Sequence, residues 1–306
     1  MTTRLRGVLA ILLVPFAESG EIDWPAYERE VDFCLGAGVH GIVVPAVASE
    51  FYALEADERR ELFARLADRV GGRLPLVAGV SAPHWRAAQA LARHAATLGA
   101  SAVMAMPPYV GHIHKPGVEA IRAHFDAIAQ AGLPIVYQNS DTLASASLPV
   151  ERIAQILDEI PAIRYLKEEG VAAPQRMGAL APLVHEHGVG LIGGTGGTHL
   201  IAEADRGCVA WMPAAEFSDI LAMIVESLWR GERTLAWERY RALLPALVLE
   251  NLLGMVWAKA VLRRRGVFTS IAMRSPAPAW GEGETADLDR VWPDLSALWA
   301  QRPSRP

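Results

Sequence analysis

The chain has 306 residues, 52% of them hydrophobic and 21% charged, with 29 Lys and Arg against 34 Asp and Glu for a formal net charge of −5. That balance, with no basic run that could track a nucleic-acid backbone, excludes a disordered chain and a nucleic-acid binder. Two cysteines, Cys34 and Cys208, are too few for a disulfide framework or a thiolate zinc site, and the longest early apolar run, residues 8–16, is too short to span a membrane and lacks the flank of a leader; a soluble cytoplasmic protein is expected.

Eight short, β-branched apolar runs alternate with amphipathic stretches of helix length. The predicted strands cover residues 7–16, 41–47, 74–80, 102–106, 134–137, 163–167, 190–193 and 208–212. The predicted helices cover 24–37, 57–70, 84–98, 118–131, 150–159, 174–186, 200–205 and 220–229. The strands are nearly continuous in apolar residues, as strands covered on both faces are. Gly38 and Gly71 follow helical patterns where left-handed caps would fall, and Asp23-Trp24-Pro25 opens the first helix with a capping side chain and an early proline. Eight such units within residues 1–230 predict an α/β fold, a closed (β/α)8 TIM barrel. An open doubly wound sheet is the alternative, but it needs fewer strands, and no G-x-G-x-x-G follows the first one. Residues 231–306 read as a C-terminal helical extension packed on the barrel, with helices over 234–251 and 255–265, an irregular stretch over 276–283 and a last short helix over 288–299. The apolar faces of the first two, including Trp237, Leu243, Leu247 and Trp257, must close one end of the barrel or meet another subunit.

In this architecture chemistry sits where the strands finish. The chain holds only three lysines, Lys115, Lys167 and Lys259, so all other basic residues are arginines. Lys167 stands at the end of the sixth predicted strand. In a walled pocket desolvation favours the neutral amine, which can attack a ketone and form a protonated imine; a lysine paired with Glu168 or Glu169 in a rim loop is the structural alternative. Tyr137 ends the neighbouring strand and could shuttle a proton to the carbinolamine, or could pack as a core aromatic. Tyr109, after the fourth strand, could relay to it. Asn139 follows in the same segment as Tyr137 and is a candidate substrate contact. Ser49 offers a hydroxyl and, with Ala48, backbone N–H groups suited to a substrate carboxylate, whereas Glu50 reads as a structural residue holding that turn. Gly193 and Gly194 open a glycine-rich segment where backbone could approach a small acid. His112 could touch a substrate hydroxyl or, with His114, lie on a loop surface; no nearby ligands complete a metal set, and none is expected.

These segments carry a family resemblance. Ala48-Ser49-Glu50-Phe51 with Asp57-Glu58-Arg59, residues 103–109, Tyr165-Leu166-Lys167-Glu168, Leu244-Pro245 with Glu250-Asn251, and Ala258-Lys259-Ala260 resemble the class I aldolase family that contains dihydrodipicolinate synthase and N-acetylneuraminate lyase. The resemblance runs from about Gly7 to Gly266 and is nearest the 2-keto-3-deoxy sugar acid dehydratases of the L-2-keto-3-deoxyarabonate dehydratase kind. It implies a homotetramer built as a dimer of dimers, Lys167 as the Schiff-base lysine, Tyr137 as the proton-shuttling tyrosine, and Tyr109 as a tyrosine contributed across a tight dimer interface. Two departures stand out. The family's Gly-Thr-Thr-Gly-Glu is Ala46-Val47-Ala48-Ser49-Glu50 here, and Tyr-Asn-x-Pro is Tyr137-Gln138-Asn139-Ser140. The arginine that the lysine-pathway synthase uses a few residues later is absent, which argues against aspartate semialdehyde as a second substrate.

The expected reaction is dehydration of a 2-keto-3-deoxy sugar acid through an imine on Lys167, with Tyr137 or a water it orients as base and an acid near Tyr109 or His112. The imine is the electron sink, so no cofactor is required. Aldol cleavage or formation of C3–C4 with pyruvate as the nucleophilic component uses the same imine, and a catalytically silent regulator on the same scaffold is the third reading. The expected partners are a small 2-keto acid and further copies of the chain, with no nucleic acid and no membrane.

Overall fold

The computed structural model describes residues 4–108, 116–140 and 148–302. Eight parallel strands close in chain order: β1 (Gly7–Ile11), β2 (Gly41–Val44), β3 (Leu76–Gly79), β4 (Ala102–Ala105), β5 (Ile135–Ser140), β6 (Ile163–Glu169), β7 (Gly190–Gly193) and β8 (Cys208–Trp211). β1 pairs with both β2 and β8, Gly7 lying opposite Ala210, so the sheet has no edge. The outer layer comprises α1 (Trp24–Ala37), α2 (Ala56–Val70), α3 (Trp85–Thr97), α4 (Val118–Ala129), α5 (Val150–Glu159), α6 (Ala173–Glu186), α7 (Leu200–Ala204) and α8 (Ser218–Trp229). Every residue of β1 to β5 is buried, which explains the unbroken apolar runs of the first four: one face fills the barrel and the other meets the helices. Truncating one of these side chains, Ile42→Ala for example, would cost about 2–5 kcal/mol through lost transfer energy and the cavity left behind.

Local signals act where the sequence places them. The Asp23 carboxylate accepts from the Ala26 N–H at 3.0 Å and caps α1, which ends at Gly38 in the left-handed region, φ 83°. Several boundaries differ from expectation. β1 stops at Ile11 and β2 at Val44, and the segment after β2 turns through Val47–Ser49. β5 runs to Ser140 and β6 to Glu169, so neither Tyr137 nor Lys167 ends its strand. Polar side chains at these ends bond one another across the pair, which lets polar sequence continue as sheet.

Beyond the barrel lie α9 (Arg233–Leu253), α10 (Met255–Arg264) and α11 (Glu282–Trp299). α11 starts earlier than the sequence suggests, because the Gly281 N–H donates to the Glu284 carboxylate at 2.8 Å and opens the helix there. Tyr240, Leu243, Leu247 and Trp257 join the same contiguous core as the strands. Polar ties fix these helices to the strands' C-terminal end: Tyr240 Oη donates to the Thr198 carbonyl, and Asn251 Nδ2 to Thr198 Oγ1 at 2.6 Å. Arg274 pairs with Glu58 at 2.6 Å. Glu250, Asn251, Gly254 and Met255 consequently border a cavity at that end. Among the described residues no helix is long and apolar enough to cross a membrane.

Candidate active site

Strand alternation decides which residues meet. Side chains two apart on a strand share a face, and neighbours in register point the same way. Lys167 and Glu169 of β6 therefore face the barrel axis together, and both line a cavity of about 250 Å³. Lys167 is 1% exposed, with Nζ 3.4 Å from Glu169 Oε1. The second Glu169 oxygen accepts from Gln138 Nε2 at 2.7 Å. Burial raises the Glu169 pKa, but the Lys167 charge and the hydrogen bonds from Gln138 and Lys167 outweigh it and hold the carboxyl below its ordinary range. Glu169 is thus a carboxylate beside a buried amine. This places Lys167 in a cavity wall rather than a rim loop; Glu168 points away from the axis and pairs with Arg176 at 2.8 Å.

Tyr137 does not share this cavity. It lies opposite Leu166, while Gln138 lies opposite Lys167. The Tyr137 ring packs on Phe125 of α4 with centroids 5.0 Å apart, on the helix-facing side of the sheet. Its hydroxyl has no hydrogen-bond partner among the described residues, and burial, then Glu168, pushes its pKa well up. The expected Tyr137–Lys167 pair is therefore not formed: the extension of β5 puts Gln138, not Tyr137, on the face shared with Lys167. Asn139 points outward as well. Its Nδ2 donates to both Glu168 oxygens at 2.9 and 3.1 Å, and its Oδ1 accepts from the Leu148 N–H at 2.8 Å, so it holds the outer layer rather than reaching the cavity.

The turn after β2 contributes Val47 and Ala48 to the cavity wall. Ser49 is not part of that wall: its hydroxyl donates to the Leu12 carbonyl and accepts the Ala46 N–H at 2.9 Å, and its own N–H bonds the Ala46 carbonyl. The serine thus shapes the turn, while Val47 and Ala48 are the residues of this segment that border the cavity. Glu50 adopts φ 53° and is fully buried. It accepts from Lys259 Nζ at 2.7 Å, from the Arg274 and Ser275 N–H groups, and from Ser275 Oγ at 2.6 Å. This geometry ties the β2 turn to α10 and gives the second buried lysine a partner away from the cavity.

Gly193 and Gly194 also sit behind the wall. Gly193 leaves room for Glu203 and Trp211, since an added Cβ would fall 2.3 Å from Glu203 Oε2. The Gly194 N–H bonds the Glu168 carbonyl. Thr195 and Gly196 line the cavity instead, with Thr195 Oγ1 accepting the Gly170 N–H at 2.9 Å. Glu203, although bonded by the Trp211 indole at 2.9 Å, is pushed up to about 8, chiefly by burial. Tyr109 and His112 lie outside the described residues, as does Lys115. Among the described residues no group of three or more His, Cys, Asp or Glu is disposed to hold a metal ion.

Two contributors were not expected as site residues, Glu169 having been read only as an ion-pair partner of Lys167. Glu169 was legible from its i, i+2 spacing to Lys167, once both are placed on one strand. Glu250, which enters from α9, lies in one of the segments that resemble the family, but nothing around it marks it as a cavity residue. Its carboxyl lies in the cavity wall against Gly196 and faces the buried Glu216, next to the start of α8.

The chain matches the model of the Dihydrodipicolinate synthetase family over residues 4–286. It is 31% identical to the L-2-keto-3-deoxyarabonate dehydratase of Azospirillum brasilense over 304 residues, 98% of both chains. It is 34% identical to the 4-hydroxy-tetrahydrodipicolinate synthase of Xanthomonas campestris over 205 residues, 66% of each chain. The fold superposes on the dihydrodipicolinate synthase of Rhodopseudomonas palustris with a TM-score of 0.85 at 27% identity, covering 95% of this chain and 98% of that one.

Proposed function

Since the chain belongs to the dihydrodipicolinate synthetase family, whose members are class I lyases, we propose that it dehydrates a 2-keto-3-deoxy sugar acid through an imine on Lys167. The observation that carries this reading is the Lys167 amine, buried in a small cavity with the Glu169 carboxylate 3.4 Å away. The similarity to an L-2-keto-3-deoxyarabonate dehydratase along 98% of both chains supports the substrate class. So does the volume of about 250 Å³, which is below the usual range for drug-sized ligands and suits a short acid.

The substrate carboxylate rests on the backbone at Val47 and Ala48. Lys167 attacks the C2 ketone and gives up a proton to Glu169 as the carbinolamine forms; Glu169 returns that proton to the carbinolamine hydroxyl, which leaves as water, so that a protonated imine stands beside a Glu169 that is again a carboxylate. Glu169 next removes a proton from C3 and the electron pair moves toward nitrogen, giving a neutral enamine. The enamine returns its electrons, the C4–O bond breaks, and the hydroxyl leaves as water once protonated. Hydrolysis of the conjugated imine frees Lys167. No external cofactor enters this scheme, because the imine supplies the electron sink.

Borohydride reduction in the presence of pyruvate, with mass mapping of peptides, tests the class, and the expected adduct is on Lys167. Incubation with five- and six-carbon 2-keto-3-deoxy acids tests the reaction: a dehydrated keto acid supports elimination, whereas release of pyruvate and an aldehyde identifies an aldolase and overturns it. The functional unit in this reading is a cytoplasmic homotetramer. The buried free thiols Cys34 and Cys208 suit a reducing compartment, and the exposed Trp237, Val248 and Leu252 of α9 offer apolar surface for subunit contact.

A further inference from the structure

The scheme above needs an acid for the departing hydroxyl, and a second carboxyl in the same cavity fits that need. Glu250, 6% exposed, lines the cavity with Lys167 and Glu169 but comes from α9. Its position depends on Gly196: a Cβ there would lie 2.8 Å from either Glu250 oxygen, so the carboxyl lies flat against bare backbone. Behind it is Glu216, fully buried, whose carboxyl oxygens meet no side-chain donor of another residue type among the described residues and face the Glu250 carboxyl. Two buried carboxyl groups face to face disfavour ionising both, so the pair readily holds one proton between them.

We propose that Glu250, sharing that proton with Glu216, is the catalytic acid that protonates the C4 hydroxyl as it leaves. The Glu250 O–H bond breaks, the C4–O bond breaks, water departs, and the enamine electrons form C3=C4 conjugated to the imine. The proton that Glu169 took from C3 is lost to solvent, and the carboxyl pair regains one from solvent after product release. This inference rests on the dehydratase reading.

The surroundings agree. Burial pushes Glu216 up to about 7, and burial with the facing Glu216 pushes Glu250 well above its ordinary range. Glu30 of α1 repels Glu216 and has an Oε2 with no hydrogen-bond partner among the described residues. Arg265, after α10, donates to the Glu216 backbone carbonyl at 2.7 Å, but its charge is also engaged by Asp219, which pairs with Arg302 as well. Across the cavity stand Lys167 and Glu169, already paired. The two carboxyl states of the cavity are thus set apart by different neighbours, the pattern by which acid and base roles separate.

The test uses the full chain and the variants Glu250→Gln and Glu216→Gln. Glu250→Gln is expected to retain the borohydride-trapped pyruvate adduct, which reports an intact Lys167 site, while kcat for dehydration falls about 10²–10⁴-fold. A substrate carrying fluorine in place of the C4 hydroxyl needs no acid to depart, and its elimination recovers most of that loss in the variant. In Glu216→Gln the alkaline limb of the kcat profile moves to lower pH by about one pH unit, because Glu250 loses a like-charged neighbour and gives up its proton more readily. Dehydration within about 3-fold of wild type in Glu250→Gln, equal losses on both substrates, or an unmoved profile in Glu216→Gln would overturn the assignment. If the unmodified protein traps pyruvate but dehydrates no keto-deoxy acid, the dehydratase reading fails and takes this one with it; that outcome is seen without any variant.

Discussion

The placement of Glu169 and Tyr137 on opposite faces of the sheet makes a prediction that separates them. In an imine on Lys167, C3 lies about 2.5 Å from Nζ, two short bonds away. Glu169 Oε1 is 3.4 Å from the same nitrogen on the cavity side, so it can stand within the 3–3.5 Å that a proton transfer from C3 requires. The Tyr137 hydroxyl is behind the strand, over Phe125. Pyruvate bound as an imine exposes a methyl group at the C3 position, and a base there exchanges its protons with solvent. Nuclear magnetic resonance in deuterated water follows this exchange without any need for the true substrate. Glu169→Gln keeps the shape and the acceptor for Gln138 but removes the base. Exchange is expected to fall about 10²–10⁴-fold, which is about 3–5 kcal/mol in the barrier. Borohydride still traps an adduct in that variant, and Tyr137→Phe stays within about 3-fold of wild type. An exchange rate as low in Tyr137→Phe as in Glu169→Gln would refute the reasoning, since it would require the tyrosine on the cavity side.

Two further predictions concern the buried charges around the site. Glu50→Ala leaves the fully buried Lys259 ammonium with the Ala272 carbonyl, the Phe16 ring and the more distant charge of Glu30 among the described residues, and should cost about 3–5 kcal/mol in urea unfolding. Lys259→Met should cost less, because Glu50 keeps three hydrogen-bond donors from Arg274 and Ser275; equal losses would show that those donors do not compensate for the missing ammonium. Glu203, with its pKa raised from 4.5 to about 8, binds its proton more tightly folded than unfolded. Its contribution is fully present below pH 4.5 and is lost as pH rises to about 8. Urea unfolding at pH 6 and pH 8 should therefore show a loss that Glu203→Gln lessens by up to about 3 kcal/mol, and an unchanged pH dependence in the variant would refute this.

The barrel was legible because its strands are buried on both faces and its helices are amphipathic, so the two periods alternate cleanly along the chain. The strand ends were not. Gln138, Asn139 and Ser140, like Glu168 and Glu169, are polar, and polar residues after an apolar run read as loop. They remain in the sheet because Gln138 bonds Glu169 and Asn139 bonds Glu168 across the pair. With Tyr137 taken as a strand end its direction was left open, and the family pattern supplied an answer that the register contradicts. Ser49 shows a related limit: its hydroxyl was visible in sequence, but its engagement with Leu12 and Ala46 was not. Glu216 and Glu250 are brought together by the docking of α9 on α8, and no local spacing encodes that.

The position of the carboxyls also bears on which bond an imine would break. Cleavage of C3–C4 begins with removal of the proton from the C4 hydroxyl, so that the oxygen can become a carbonyl. Elimination requires the reverse: the same oxygen must gain a proton before it leaves. A carboxylate facing that oxygen would serve cleavage, and a protonated carboxyl serves elimination. The Lys167 charge holds Glu169 below its ordinary range, and its Oε1 stands 3.4 Å from Nζ, which in the proposed imine sets it closer to C3 than to C4. Glu250 enters from the opposite element and faces a second carboxyl that favours the bound proton. In the proposed dehydration one cavity thus supplies a base for the C3 proton and an acid for the departing hydroxyl. In the proposed scheme the same proton that assists dehydration opposes cleavage, so the protonation of the Glu216–Glu250 pair sets the choice between the two reactions.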